Sequence, residues 1–183
     1  MEKTTLLTTV KELEDFLSSN YRKTGVRPSL GEALDMMEKK HLLSSPHVPT
    51  PTESKVQHTL EQICEIIDSQ AVDVTAFLQN TSDSGASHLS VEDAIFAPGR
   101  DVAATRLFSY LSAEPTEYES FSVIVALKNE CEIFFDGVPL AVAPGGVVIL
   151  PPHTPHTMEV PEDSYVIALH MRRSTFDAQF GAL

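Results

Sequence analysis

His156 is the side chain that its surroundings hold most firmly in a position to do chemistry. It sits in residues 145–160, GGVVILPPHTPHTMEV, where Gly145 is followed in turn by Pro151, His153 and His156. Pro151, Pro152 and Pro155 fix φ and cannot donate to a ladder, so they belong in a turn. The apolar run Val147–Leu150 before them, bounded by Gly and Pro, reads as a buried strand. A proline-stiffened turn therefore delivers the His156 imidazole at the start of the next strand, held rather than loose. Such a ring can ligate a metal, exchange a proton, or hydrogen-bond inside a cavity. A single imidazole does not hold a metal against water, so ligation would need partners.

The elements around it are β-rich. Residues 121–127 read as a strand, Cys131–Phe135 as the next after a Lys-Asn-Glu turn, and Asp136-Gly137 is a strong hairpin signal. Residues 140–143, Val147–Leu150, residues 157–160 and Tyr165–Met171 supply further short strands broken by Pro and Gly. That rhythm, with no helix-period segment inside it, indicates a sandwich or small barrel.

The N-terminal half reads as helical. Leu6, Val10, Leu13, Phe16 and Leu17 fall on one helical face, which residues 20–25 end. Ser29-Leu-Gly-Glu32 has the form of a capping box, followed by Leu34, Met37 and Leu42. The Met36-Met37 pair reads as core filling. Residues 44–54, with Pro46, Pro49 and Pro51, form a connector. Val56, Leu60, Ile63, Ile66 and Ile67 give the clearest amphipathic pattern in the chain. Residues 72–78 add a short helix, and residues 80–90 are a polar loop.

Composition bounds the function. The chain has 183 residues, 42% of them apolar, enough to build a core. No apolar run reaches the roughly 18 residues that a membrane-spanning helix needs, and the polar N-terminus is not a signal peptide, so a cytoplasmic protein without a membrane role is expected. Cys64 and Cys131 form no motif or disulfide framework and read as free buried thiols. The first 50 residues are charge-balanced, so the whole net charge of −13 falls on the rest. Such a surface repels phosphate, and Arg172-Arg173 is too small an exception for that half to bind DNA alone. The basic turn over residues 21–30 only faintly suggests a helix-turn-helix.

Residues 145–160 resemble the second conserved motif of the cupin superfamily, with His153 at its third position, a glycine, and Val160 at its asparagine. Upstream, Thr116, Tyr118, Ser122 and Asn129 have the spacing of the first motif, His-x-His, Glu, Gly. Cupin enzymes ligate a divalent metal with the two histidines and the glutamate of the first motif and the histidine of the second. Here His156 alone remains of the four, which implies a barrel with no metal and no other cofactor. Residues 106–183 resemble, more closely, the N-terminal effector-binding domain of AraC-type transcriptional regulators. The match runs through Phe108-Ser109-Tyr110, Tyr118-Glu119-Ser120-Phe121, the Asp136-Gly137 hairpin, Pro144-Gly145-Gly146 (Gly-Asp in the family) and Ile149-Leu150-Pro151-Pro152. It closes on Arg172-Arg173-Ser174-Thr175-Phe176, the most specific block.

The expected fold is thus mainly β with a helical N-terminal extension: helices over residues 1–80, a cupin-like double-stranded β-helix (jelly-roll) barrel over 91–173, and the start of a C-terminal helix over 174–183. Ser174 or Thr175 caps that helix, and Phe176, Phe180 and Leu183 fall on one face, an apolar stripe on which a chain rarely ends. The resemblance implies the sensing and dimerising portion of a regulator: a homodimer that binds a small-molecule effector and meets DNA only through a C-terminal domain absent from this chain. Alternation from Thr116 puts Tyr118, Ser120 and Ser122 on the face the motif points inward, opposite His156. These four, with Phe134 and His170, are the expected ligand-binding residues. The alternative is a stand-alone small cupin enzyme, a metal-independent isomerase or epimerase with Tyr118 and His156 as acid and base.

Overall fold

A computed structural model describes residues 6–44, 59–75, 96 and 99–175. The chain divides into two compact units, residues 1–86 and 87–183.

The first unit holds β1 (Leu7–Thr9), α1 (Val10–Thr24), α2 (Leu30–Lys39), α3 (Leu60–Asp68) and β2 (Ala71–Asp73). Each helix opens on a reciprocal capping box, Thr9 with Glu12, Ser29 with Glu32 and Thr59 with Gln62. The boxes satisfy N–H groups that a first turn leaves without partners. The sequence reading named the Ser29 box alone, although Thr9-x-x-Glu12 and Thr59-x-x-Gln62 carry the same spacing. Val10, Leu13 and Leu17 of α1 and Ala33, Leu34 and Met37 of α2 are buried, and Met36 is half-buried. The expected helical face began one turn too early. Leu6 precedes β1, which pairs antiparallel with β2, Leu7 opposite Asp73 and Thr9 opposite Ala71. That partner lies far along the chain, where local periodicity cannot register it. Val72, expected in a short helix, lies in β2 for the same reason. In α3 only Ile67 is buried, while Leu60, Ile63 and Ile66 are exposed, so the most amphipathic helix is the least covered. Leu42 is also exposed. Residues 45–58, with Val56 and the proline connector, residues 76–78 and the polar loop over 80–90 lie outside the described residues.

The second unit holds β3 (Val102–Leu107), β4 (Phe121–Lys128), β5 (Cys131–Phe135), β6 (Val138–Val142), β7 (Val147–Leu150), β8 (Thr157–Glu159) and β9 (Tyr165–Met171). Two antiparallel sheets form, one in the order β3-β9-β4-β7 and one in the order β6-β5-β8. From β4 onward the chain passes back and forth between them, and this winding makes the unit a cupin-like jelly roll. All of the expected strands form, and β3, which the sequence reading did not assign, adds an edge. Between the sheets, Ile124, Ala126, Cys131, Ile133, Val142, Leu150, Val160, Val166 and Ala168 build one apolar core. Burial raises the Cys131 thiol pKa to about 11, so it is an inert core group, whereas Cys64 is only half-buried.

The turns explain several residue choices. Asp136 and Gly137 both have positive φ, 50° and 79°, as a two-residue hairpin with the twist of its strands requires. A Cβ on Gly146 would lie 2.7 Å from the Ala143 carbonyl oxygen, so glycine is required by close approach. After β9 a helical turn opens at Arg173, one residue before the expected caps, and Phe176, Phe180 and Leu183 lie outside the described residues.

Candidate functional site

Alternation along the inward faces of β4 and β9 is apolar at one end of the barrel and polar at the other. Val166 and Ala168 give way to His170 on β9, and Ala126 and Ile124 give way to Ser122 on β4. His170 and Ser122 are direct partners in the register, with Ser122 Oγ 3.0 Å from His170 Nδ1. On the other flank, Thr105 of β3 places its hydroxyl 3.1 Å from His170 Nε2. Hydroxyls donate and accept, so either tautomer of the neutral ring is satisfied. His170 is 1% exposed. Burial first, and the charge of a protonated His156 second, lower its pKa to about 4, so it is uncharged at neutral pH.

The proline turn delivers His156 opposite this pair, as its sequence demands. The Thr116 N–H donates to the His156 carbonyl at 2.8 Å, the His156 N–H donates back to the Thr116 carbonyl at 3.0 Å, and the His153 N–H donates to the Tyr118 carbonyl at 2.7 Å. The two motif segments thus form a short backbone ladder across the barrel mouth. His156 Nδ1 lies 2.9 Å from the Thr154 carbonyl oxygen. A carbonyl only accepts, so Nδ1 carries the proton and Nε2 of the neutral ring keeps its lone pair. Tyr118 lies between the histidines, its ring centroid 4.8 Å from that of His170 and 5.7 Å from that of His156. Tyr118 is half-buried, and desolvation raises the pKa of its phenol.

Of the six expected site residues, the structure brings Tyr118, Ser122, His156 and His170 together. Ser120 is buried, and among the described residues its hydroxyl has no hydrogen-bond partner. Phe134 is not brought in. Cys131 and Ile133 face the core, so alternation turns half-buried Phe134 to the outer face of β5 beside Glu132. Thr105 was missed because its strand was missed; the alternation Ala103, Thr105, Leu107 was the available signal. His153, at the motif's glycine position, adopts φ 58° and pairs at the surface with Glu117, Nδ1 to Oε1 3.1 Å. The backbone there is left-handed, which is the physical reason for a glycine in the motif.

The donor set does not fit the divalent metal of cupin enzymes. Both His170 nitrogens are engaged by hydroxyls, Ser122 stands at the glutamate position, and among the described residues no three His, Cys, Asp or Glu side chains come together. In this cluster Ser122, His156 and His170 are buried, while Tyr118 and Thr105 are half-buried. It offers neutral donors and acceptors, with the Glu117 carboxylate at the rim.

No family model and no curated protein matches this chain. Solved structures that are similar over part of it include a putative ethanolamine utilization protein Q from Salmonella typhimurium, 15% identical, with a TM-score of 0.34 over 40% of this chain and 59% of that one. KdgF from Halomonas sp. is 26% identical over 45% of this chain and 81% of its own, with a TM-score of 0.36. A cupin-2 domain containing protein from Shewanella frigidimarina is 13% identical over 52% and 92%, with a TM-score of 0.34. The chain thus spans less than two thirds of the ethanolamine utilization protein. The jelly-roll assignment rests on the strand order described above. Among the described residues no helix is long and apolar enough to cross a membrane.

Proposed function

We propose that the barrel senses a small molecule without a metal, as the effector-binding part of an AraC-type regulator. The observation that carries this reading is the sequestration of His170 between Thr105 and Ser122. It turns the usual ligand side of the barrel into a neutral hydrogen-bonding cluster. An effector would meet Tyr118 and His156 Nε2 at the mouth, with Ser122 and His170 behind them, and displacing Tyr118 would alter the segment leading out of β9. The Arg172-Arg173-Ser174-Thr175 block at that exit supports the regulator assignment by its resemblance. With net −13 on the chain, DNA contact is assigned to a domain beyond it.

A metabolite library screened by thermal shift tests the proposal, because a ligand that binds only the folded state raises the melting temperature. Hits that shift the wild type and are lost in Tyr118→Phe and His156→Gln are expected. Hits that bind only when zinc, iron or manganese is added would overturn it.

A second reading, metal-independent proton transfer, is favoured by the closeness of the Tyr118 and His156 rings and by the unprotonated Nε2. Against it, His156 Nδ1 is oriented by a carbonyl and not by a carboxylate. Solvent deuterium entering a bound ligand in the wild type but not in Tyr118→Phe would favour it.

A further inference from the structure

The barrel mouth has spare hydrogen-bonding capacity and no spare charge. Ser120 continues the buried alternation of Ser122, Ile124 and Ala126 by one step, is 1% exposed, and among the described residues its hydroxyl has no partner. His156 Nε2 keeps a lone pair, because Nδ1 holds the proton against the Thr154 carbonyl. The charges that border these groups are engaged elsewhere. Glu117 lies at the surface, 3.1 Å from His153 Nδ1. Arg172, two residues after His170, stacks 4.4 Å over the Phe96 ring with its Nε 3.9 Å from Asp101. Arg106 lies 4.4 Å over the Tyr165 ring, on the face of β3 opposite to Thr105. The remaining basic side chains of this unit, Arg100, Lys128 and Arg173, are exposed.

We infer that the site takes an uncharged molecule bearing a hydroxyl or amide group, which donates a hydrogen bond to His156 Nε2 and accepts one from the Ser120 hydroxyl once Tyr118 gives way. Two arguments exclude acids. A carboxylate would set an anionic oxygen against the Nε2 lone pair, and its charge would be buried among hydroxyls and imidazoles with no counter-ion at hand, which is costly. The net charge of −13 repels it beforehand. An ammonium group could donate to Nε2, but its charge would be buried in the same neutral surroundings. An alcohol or a primary amide supplies donor and acceptor together and carries no charge. This inference rests on the reading of the barrel as a metal-free sensor and adds the class of molecule it senses.

Calorimetric titration of the full chain at neutral pH measures it with matched probes: nicotinamide with nicotinate, benzamide with benzoate, and glucose with gluconate and glucosamine, beside the metabolite library sorted by charge. Uncharged compounds are expected to supply the hits, and the acid or amine counterpart of each to bind at least about a hundredfold more weakly. Ser120→Ala is expected to melt at or above the wild-type temperature without ligand, yet to bind an uncharged hit about tenfold more weakly, a split that a purely structural serine would not give. An acid or amine that binds more tightly than its uncharged counterpart, in the wild type and not in Tyr118→Phe, refutes this inference and leaves the sensor reading standing. An uncharged hit that is lost in Tyr118→Phe and His156→Gln but unchanged in Ser120→Ala does the same. A library with no hit of any charge, or with hits only after metal is added, refutes both.

Discussion

The Ser122 hydroxyl and the His170 imidazole face each other directly across β4 and β9, 3.0 Å apart in the barrel interior. Ser122→Ala would leave a buried ring nitrogen without its partner, at a cost of about 1–3 kcal/mol. Ser120 is equally buried, but among the described residues its hydroxyl has no partner, so Ser120→Ala should be neutral or stabilising by up to about 1 kcal/mol. Urea midpoints of the two variants check the contrast. Equal losses at both sites would show that Ser120 is also satisfied.

Stability should fall on mild acidification because of His170. Its folded pKa, about 4, lies below the 6.5 of an ordinary imidazole, so the unfolded chain binds the proton more readily. The full contribution is present above pH 6.5 and is lost as pH falls from there toward 4. At its limit the loss is about 3 kcal/mol. Chemical unfolding at steps from pH 7.5 downward measures the slope, and His170→Gln should flatten it. An unchanged slope in that variant would assign the acid sensitivity to carboxylates.

The purified protein is expected to carry no stoichiometric transition metal, and a chelator should leave its melting temperature unchanged. Elemental analysis checks this. About one zinc, iron, manganese or nickel per chain, lost in His156→Ala, would contradict the expectation.

Two turn positions should respond oppositely to small changes. His153→Gly removes the strain of a left-handed residue and gives up only a surface contact to Glu117, so stability should hold or rise by up to about 1 kcal/mol. Gly146→Ala forces a Cβ against the Ala143 carbonyl and should cost about 1–3 kcal/mol. Thermal melts rank the pair.

The proline turn, the Asp136-Gly137 hairpin and the barrel strands were legible because Gly, Pro and short apolar runs punctuate them locally. His156 came with them. What the sequence left open was parity and distant pairing. Tyr165–Met171 is apolar on both faces, so nothing in its pattern showed that His170 points inward, and Ile133-Phe134-Phe135 hid which of its members leave the core. β1 and β2 pair across most of the first unit and carry no local signature. Thr105 joined the site only through β3, whose partner β9 lies at the other end of the barrel sequence.

The ladder at the barrel mouth separates carrying from acting. Thr116 and His156 are joined through main-chain atoms, and Tyr118 is tied to His153 in the same way. The frame that aims these side chains therefore does not depend on what they are. Identities at 116 and 118 can drift, be lost or be rewritten while the imidazole opposite keeps its place, which makes this mouth a mount with interchangeable fittings.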